Sequence, residues 1–557
     1  MDRDEVGGIS RRAFVGLTAL GGAALVVGSG PVSALSRRAP TLSPPGPSSH
    51  RRDDRDNAPF IEADIAELQR LMRRRDLSSK DLTRAYIDRI ERFNPLLGAV
   101  LEINPDAVDI AHDRDKERRD GRLRGPMHGI PVLIKDNIGT ADRMQTTAGS
   151  LALVGSKVTA DSPVAARLRA AGAVILGKAN LSEWANFRGF APFNGWTARG
   201  GFTRDPYLLS ADPCGSSSGS AVAAAANLCA VAVGTETDGS IVCPSGNNLV
   251  VGIKPPIGMV PADGIIPIAH SQDTAGPITR TVADANILLG VLANLGVSEL
   301  TRGALRGARI GVDRQMFSAD LGPGDATNAV VEAALAVMSE LGATVIDTTT
   351  GDPRAYGDAE FTVLQWEFKV QIAEYLAGLK STSMRTLADL IAFDLANCEA
   401  EMRYFGQEIF ELAEATGGDL TAPEYLDARA LCVRLARDEG IDAAIARDDL
   451  DAIVAPSFSY GSSPAAVAGY PDISIPVGIN SEGLPAGMWM YGGRDSTANL
   501  IRLAFDLEQE LQARTRPRFV GTVPPEPPDA GLCGTTSVPS AHIRAAAINR
   551  KHQHRHW

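Results

Sequence analysis

The sequence predicts an α/β layered fold built around a central sheet. Two observations carry that reading. Short, wholly apolar runs stop abruptly at polar residues, as buried strands do, and Ala-rich or amphipathic helical stretches separate them. Glycine and proline mark the joins, giving a strand–helix–strand rhythm with no repeat period. Of the 557 residues, 44% are apolar and 55 are glycine, ample material for a large core. Disordered, collagen-like and disulfide-scaffold compositions are excluded on the same figures.

The elements follow in order. From Phe60 a helical period begins, with Ile61, Ile65, Leu68 and Leu71 on one stripe, and a second helix is expected over 80–93. Gly129-Ile130-Pro131-Val132-Leu133-Ile134 reads as a buried strand ending at Lys135-Asp136. Ser162-Pro163 pairs an N-cap with proline at the first helical position. That helix runs to Ala171, Gly172 closes it, and 173–176 is the next strand. After Gly219 an Ala-rich helix is expected to about Cys229, then a strand over 230–233.

Charged residues make up 22% of the chain and the net charge is −12, which argues against a strongly basic nucleic-acid binder. Only nine of the 55 basic residues are lysines. Three of them directly follow apolar strand-like runs: Lys135 after PVLI, Lys178 after VILG and Lys254 after VVGI. A solvated strand end would account for any one. Three among so few mark a set of candidates, and composition does not choose between them. The six cysteines, at 214, 229, 243, 398, 432 and 533, form no CxxC and are read as small buried hydrophobes, most of them free thiols. Only His112, His128 and His270 lie in the body of the chain, so a zinc site or a Ser-His-Asp triad has little to draw on.

The first residues read as an address. Ser10-Arg11-Arg12-Ala13-Phe14-Val15 opens an uncharged, Gly- and Ala-rich run that resembles a twin-arginine export signal, with cleavage expected after Ala34. The alternative is an uncleaved membrane anchor, for which the glycines and Pro31 make a poor helix. Residues 35–59 read as a Pro-, Ser- and Arg-rich linker, and 521–557 as a flexible tail. Its alternating histidines, ending His554-Arg555-His556-Trp557, read as a polar end rather than a metal site.

The densest chemical signal is Gly215-Ser216-Ser217-Ser218-Gly219-Ser220, followed by Gly234-Thr235-Glu236-Thr237-Asp238-Gly239-Ser240-Ile241-Val242-Cys243-Pro244. A small-residue loop entering a helix can bind anions through backbone N–H groups. No GxxxxGK[ST] or GxGxxG accompanies it, so nucleotide binding is disfavoured.

Together these motifs resemble the amidase signature family of serine hydrolases. The similarity extends over residues 61–519 and includes the Lys135 strand, Thr146-Thr147-Ala148-Gly149-Ser150, Gly177-Lys178-Ala179-Asn180 and Gly469-Tyr470-Pro471-Asp472-Ile473-Ser474-Ile475-Pro476. The resemblance implies a catalytic domain over 60–520 with a central mixed β-sheet covered by helices on both faces. It also implies a Ser–cis-Ser–Lys centre of Ser240, Ser216 and Lys135, with a cis bond between Gly215 and Ser216. By the same likeness Thr237, Asp238, Gly239 and Ser240 supply an oxyanion hole, and Ala185 lies at the substrate channel. A lysine at its ordinary pKa is useless as a base, and burial is the means of lowering it. The sequence departs from the commonest family pattern at Cys214, Ser218 and Asp238, which stand in place of glycines, and at Val242, in place of an arginine.

Longer stretches, 180–188, 235–244 and 263–277, are most similar to the peptide amidase branch. That implies hydrolysis of C-terminal peptide amides, a peptide or small-molecule amide as partner, no nucleic acid, and a monomer or homodimer. No metal or cofactor is implied. The competing readings are an aryl acylamidase or urethanase, an ammonia-generating amidotransferase subunit, and a binding-only descendant. After export, no stable membrane association is expected.

Overall fold

The computed structural model describes residues 58–533. The expected export signal, most of the linker and the tail beyond Cys533 lie outside them. The strands are β1 (Val100–Ile103), β2 (Pro131–Lys135), β3 (Val174–Ala179), β4 (Trp196–Thr197), β5 (Gly201–Phe202), β6 (Val231–Glu236) and β7 (Val251–Lys254). They continue as β8 (Thr274–Thr279), β9 (Arg309–Asp313), β10 (Thr344–Thr348), β11 (Ala452–Pro456), β12 (Asp472–Ile479) and β13 (Pro485–Tyr491). Eleven form one sheet in the order β1-β3-β2-β6-β8-β7-β12-β13-β11-β9-β10, and β4 and β5 make a separate ribbon. The sheet is mixed: β2 runs parallel to β3 and β6, whereas β6 and β8 are antiparallel.

Every residue of β2, β3, β6, β8 and β11 is buried. Successive side chains on a strand point to opposite faces, so burial at all positions requires cover on both. Helices supply it. Ser218–Ala225 packs on β2, β6 and β8, Val282–Ala293 on β7 and β8, and Thr497–Leu511 on β12 and β13. This is the mixed, helix-covered sheet that the family resemblance implies.

Local signals set most boundaries. Ser162 caps Pro163–Ala170 by accepting from Ala165 N–H, and Gly172 leaves that helix at φ 78°. The second helix, Ser79–Leu97, extends past the expected end and stops at Gly98, whose φ is 58°. The Ala-rich helix ends at Ala225, short of Cys229. Asn227 breaks it there, at φ 56°, with its side-chain oxygen taking the N–H of Glu62 at 2.8 Å. A tertiary partner for Asn227 was not legible in an alanine run.

Residues 521–533 lie along the body. Glu526 takes the Tyr404 hydroxyl at 2.9 Å, Ala530 N–H reaches Arg403 O at 2.8 Å, and Cys533 is bonded to Cys398.

Candidate active site

The three strand-end lysines are all fully buried, and their partners separate them. Lys178 Nζ is held by Ile138 O at 2.6 Å and Thr146 Oγ1 at 2.9 Å. Lys254 Nζ is held by Ala465 O at 2.9 Å and Tyr470 O at 2.6 Å. Lys135 alone of the three reaches the serine-rich loop, with Nζ 2.7 Å from Ser216 Oγ and 3.2 Å from Thr235 O. The parallel pairing of β2 with β6, which places Ile134 beside Val233, sets this contact. Burial pulls the Lys135 amine down to about 7, against the opposing pull of the Glu236 and Asp273 carboxylates. Lys178 and Lys254 come down to about 8 for the same reason.

Ser216 follows a cis peptide bond from Gly215, as the resemblance implies. Its carbonyl accepts from Ser182 N–H at 2.9 Å. Gly215 is pressed so closely on Ser182 that a Cβ there would stand 2.2 Å from Ser182 Oγ. The neighbouring serines are occupied elsewhere: Ser217 Oγ donates to Thr235 O at 3.0 Å, and Ser218 Oγ to Cys214 O at 2.6 Å. Ser217 N–H bonds Ser240 O at 3.2 Å, which brings the two serine motifs together.

Thr237, Asp238, Gly239 and Ser240 form the turn between β6 and the helix Val242–Asn247. Gly239 takes φ 73°, open to glycine at little cost. Glu236 steadies the far end by accepting from Ile241 N–H at 2.6 Å and Val242 N–H at 3.0 Å. The Thr237 hydroxyl donates to Asp273 at 2.6 Å, and Asp273 also takes the N–H groups of Ile268 and Ala269. Burial raises the Asp273 carboxyl to about 6. Ala185 lines a small cleft with Asn137, Thr237, Ile265, Ile266 and Ile268. It sits in a left-handed run, with Trp184, Ala185 and Asn186 at φ 49°, 55° and 69°. Such backbone is costly for residues other than glycine and persists where packing enforces it.

The four departures from the family pattern are neighbours with partners. Cys214 is disulfide-bonded to Cys243, their Cα atoms 6.0 Å apart. Ser218 bonds back to Cys214 O, and Val242 joins the apolar cluster of Cys214, Cys243 and Trp489. Asp238 accepts from the hydroxyls of Ser462 and Ser463, each at 2.6 Å. The cysteine expectation is therefore corrected. Four of the six are in disulfides, Cys214–Cys243 and Cys398–Cys533, and Cys229 and Cys432 are the buried free thiols. Separations of 29 and 135 residues carry no signal of proximity until the chain has folded.

Beside the cleft, Arg188 is wholly buried, 2.7 Å from Glu183 and 3.5 Å from Glu401, with its guanidinium 4.1 Å from the centre of the Phe405 ring. Helices of the region over 303–449 close on this segment, Phe368 and Phe410 packing in one cluster with Trp184, Phe187 and Phe190. Of the histidines, His128 is buried with Nε2 2.9 Å from Arg114 O, and His270 is exposed. His128 bonds Arg114 O and His270 N–H bonds the Gln371 side chain, so among the described residues neither histidine pairs with Ser216 or Ser240. Sequence reasoning missed Asp273, Ser462 and Ser463 as supports of the turn. Asp273 lay within a quoted motif, whereas the two serines carried no local signal.

The chain belongs to the amidase family, whose sequence model, described as Amidase, matches residues 81–460. It is 41% identical to a probable amidase of Arabidopsis thaliana over 486 residues, covering 82% of this chain and 92% of the relative. Among solved structures it is similar to the native peptide amidase of Stenotrophomonas maltophilia, at 47% identity and a TM-score of 0.77, covering 83% of this chain and 99% of the other. A peptide amidase in complex with the competitive inhibitor chymostatin matches at 46% identity and a TM-score of 0.77, covering 83% of this chain and all (100%) of that one. The protein is an amide-hydrolysing enzyme of this family.

Proposed function

We propose that this amidase hydrolyses the C-terminal carboxamide of peptides, releasing ammonia and the free acid, through an acyl-enzyme on Ser240. The observation that carries the mechanism is the buried Lys135 amine, lowered to about 7, against the Ser216 hydroxyl at 2.7 Å. In its neutral form Lys135 takes the proton of Ser216, Ser216 takes that of Ser240, and Ser240 Oγ bonds to the amide carbon. The N–H groups of the 237–240 turn receive the charge that develops on the carbonyl oxygen. As the carbon–nitrogen bond breaks, the proton returns from Lys135 through Ser216 to the departing nitrogen, giving ammonia. Water then attacks the acyl carbon by the same relay, and Ser240 is restored.

The similarity to the Stenotrophomonas peptide amidase and to a peptide amidase binding chymostatin supports a peptide as the acyl part. The test is a panel of peptide amides, anilides and carbamates assayed for ammonia and by mass spectrometry. Turnover of peptide amides with a gain of about one mass unit and intact internal bonds is expected. Turnover confined to anilides or carbamates overturns the substrate assignment.

We also propose export by the twin-arginine route, with 1–34 as the signal. Two disulfides support it, because such bonds persist in oxidising compartments.

A further inference from the structure

We propose that Asp238 is a positioning residue for the amide-cleaving step: its carboxylate, engaged by the hydroxyls of Ser462 and Ser463, fixes the backbone turn that presents the oxyanion donors. The inference rests on the proposed role of the 237–240 turn.

A carboxylate beside a developing oxyanion would oppose it if left bare. Here both oxygens are occupied: Ser462 Oγ donates to Oδ1 at 2.6 Å and Ser463 Oγ to Oδ2 at 2.6 Å. Hydrogen bonds to an ionised acceptor are the strong ones, and they direct its charge toward the two hydroxyls. The side chain therefore acts through the backbone rather than on the substrate.

The turn has two separate anchors. Thr237 is tied to Asp273, which precedes β8, and Asp238 to residues that follow β11, farther along the same sheet. Ser462 also lies directly under the turn, since a Cβ on Gly239 would stand 3.2 Å from its Oγ. Glycine at 239 lets the main chain approach Ser462, and Asp238 then holds it there. Fixed donors stabilise a transition state because they need no reorganisation as charge develops, so a shift of the turn is felt in kcat before it is felt in binding.

The experiment compares Asp238→Asn, Asp238→Gly, the pair Ser462→Ala/Ser463→Ala, and Ser240→Ala. Each is assayed for kcat and KM on a peptide amide, and for affinity toward the matching peptide aldehyde and peptide acid. The clamp predicts a fall in kcat of about 10²-fold for Asp238→Gly with KM little changed. Asp238→Asn, which keeps one acceptor oxygen, should fall less. Aldehyde affinity should drop in step with kcat/KM while acid affinity holds. Losses from Asp238→Asn and the serine pair should not add, because both break one clamp. If Asp238→Gly does not fold, the serine pair carries the same test. Unchanged kcat and aldehyde affinity in folded variants, with only the melting temperature lowered, overturns the clamp. Full activity in Ser240→Ala would instead overturn the catalytic reading beneath it.

Discussion

The amine of Lys135 and the hydroxyl of Ser216 stand 2.7 Å apart in the interior of the protein, although 81 residues separate them in the chain. The same burial lowers the Lys135 amine to about 7, the condition that the proposed relay requires of its base.

Replacing Lys135 or Ser240 with alanine should lower kcat by roughly 10²-fold to 10⁶-fold, with Ser216→Ala also severe. The three losses should not add, because in the proposed relay the residues move one proton as a unit. His128→Ala and His270→Ala should retain the chemistry. A phosphonate adduct should map to Ser240, and an adduct on another serine would move the nucleophile.

The pH dependence follows from the sign of the shift. Lys135 must be neutral to accept a proton, so kcat/KM should rise with pH through about 7 and then level, where an ordinary lysine would require a far more alkaline medium. The Asp273 carboxylate favours the ammonium form. Asp273→Asn should therefore move the acidic limb to lower pH, read from rate profiles of the two enzymes. A limb that moves upward refutes the assignment.

Breaking Cys214–Cys243 by a paired change to alanine should destabilise the protein. Releasing a loop closed over 29 residues is expected to cost roughly 3–4 kcal/mol by the chain-entropy argument. Urea titration of wild type with and without reductant, beside the paired variant, checks it. An unchanged midpoint in all three would show that the bond contributes nothing.

Arg188→Met leaves Glu183, Glu401 and Asp394 buried without their cation, and should cost about 3–5 kcal/mol. Burial raises all three carboxyls above their ordinary range. A folded-state pKa above the unfolded value means that the native state holds more protons, so this cluster loses stability as pH rises from the ordinary carboxylate range. The penalty of Arg188→Met should grow from pH 5.5 to pH 8 in unfolding titrations, and Glu183→Gln should recover part of it.

For export, changing Arg11 and Arg12 to lysine should trap precursor inside the cell, read by fractionation and immunoblot. Export equal to wild type would refute the twin-arginine reading.

What the sequence by itself determined is local. Runs such as PVLI and VILG declared buried strands because a strand covered on both faces has no polar position to spare. Ser162-Pro163 and Gly172 set a helix at both ends through capping and backbone freedom. The ordered motifs gave the family resemblance and named Lys135, Ser216 and Ser240. The bare pattern left three lysines and three serines equivalent, and the fold separated them. Strand pairing carried Lys135 to Ser216, while Lys178 and Lys254 were met by other partners. Only tertiary structure could join Cys214 to Cys243, or seat Asp238 on Ser462 from 224 residues away. Period, caps and burial are written within a few residues of where they act. A side-chain partner supplied by a distant segment is fixed only when the sheet closes, and the supports of the 237–240 turn are of that kind.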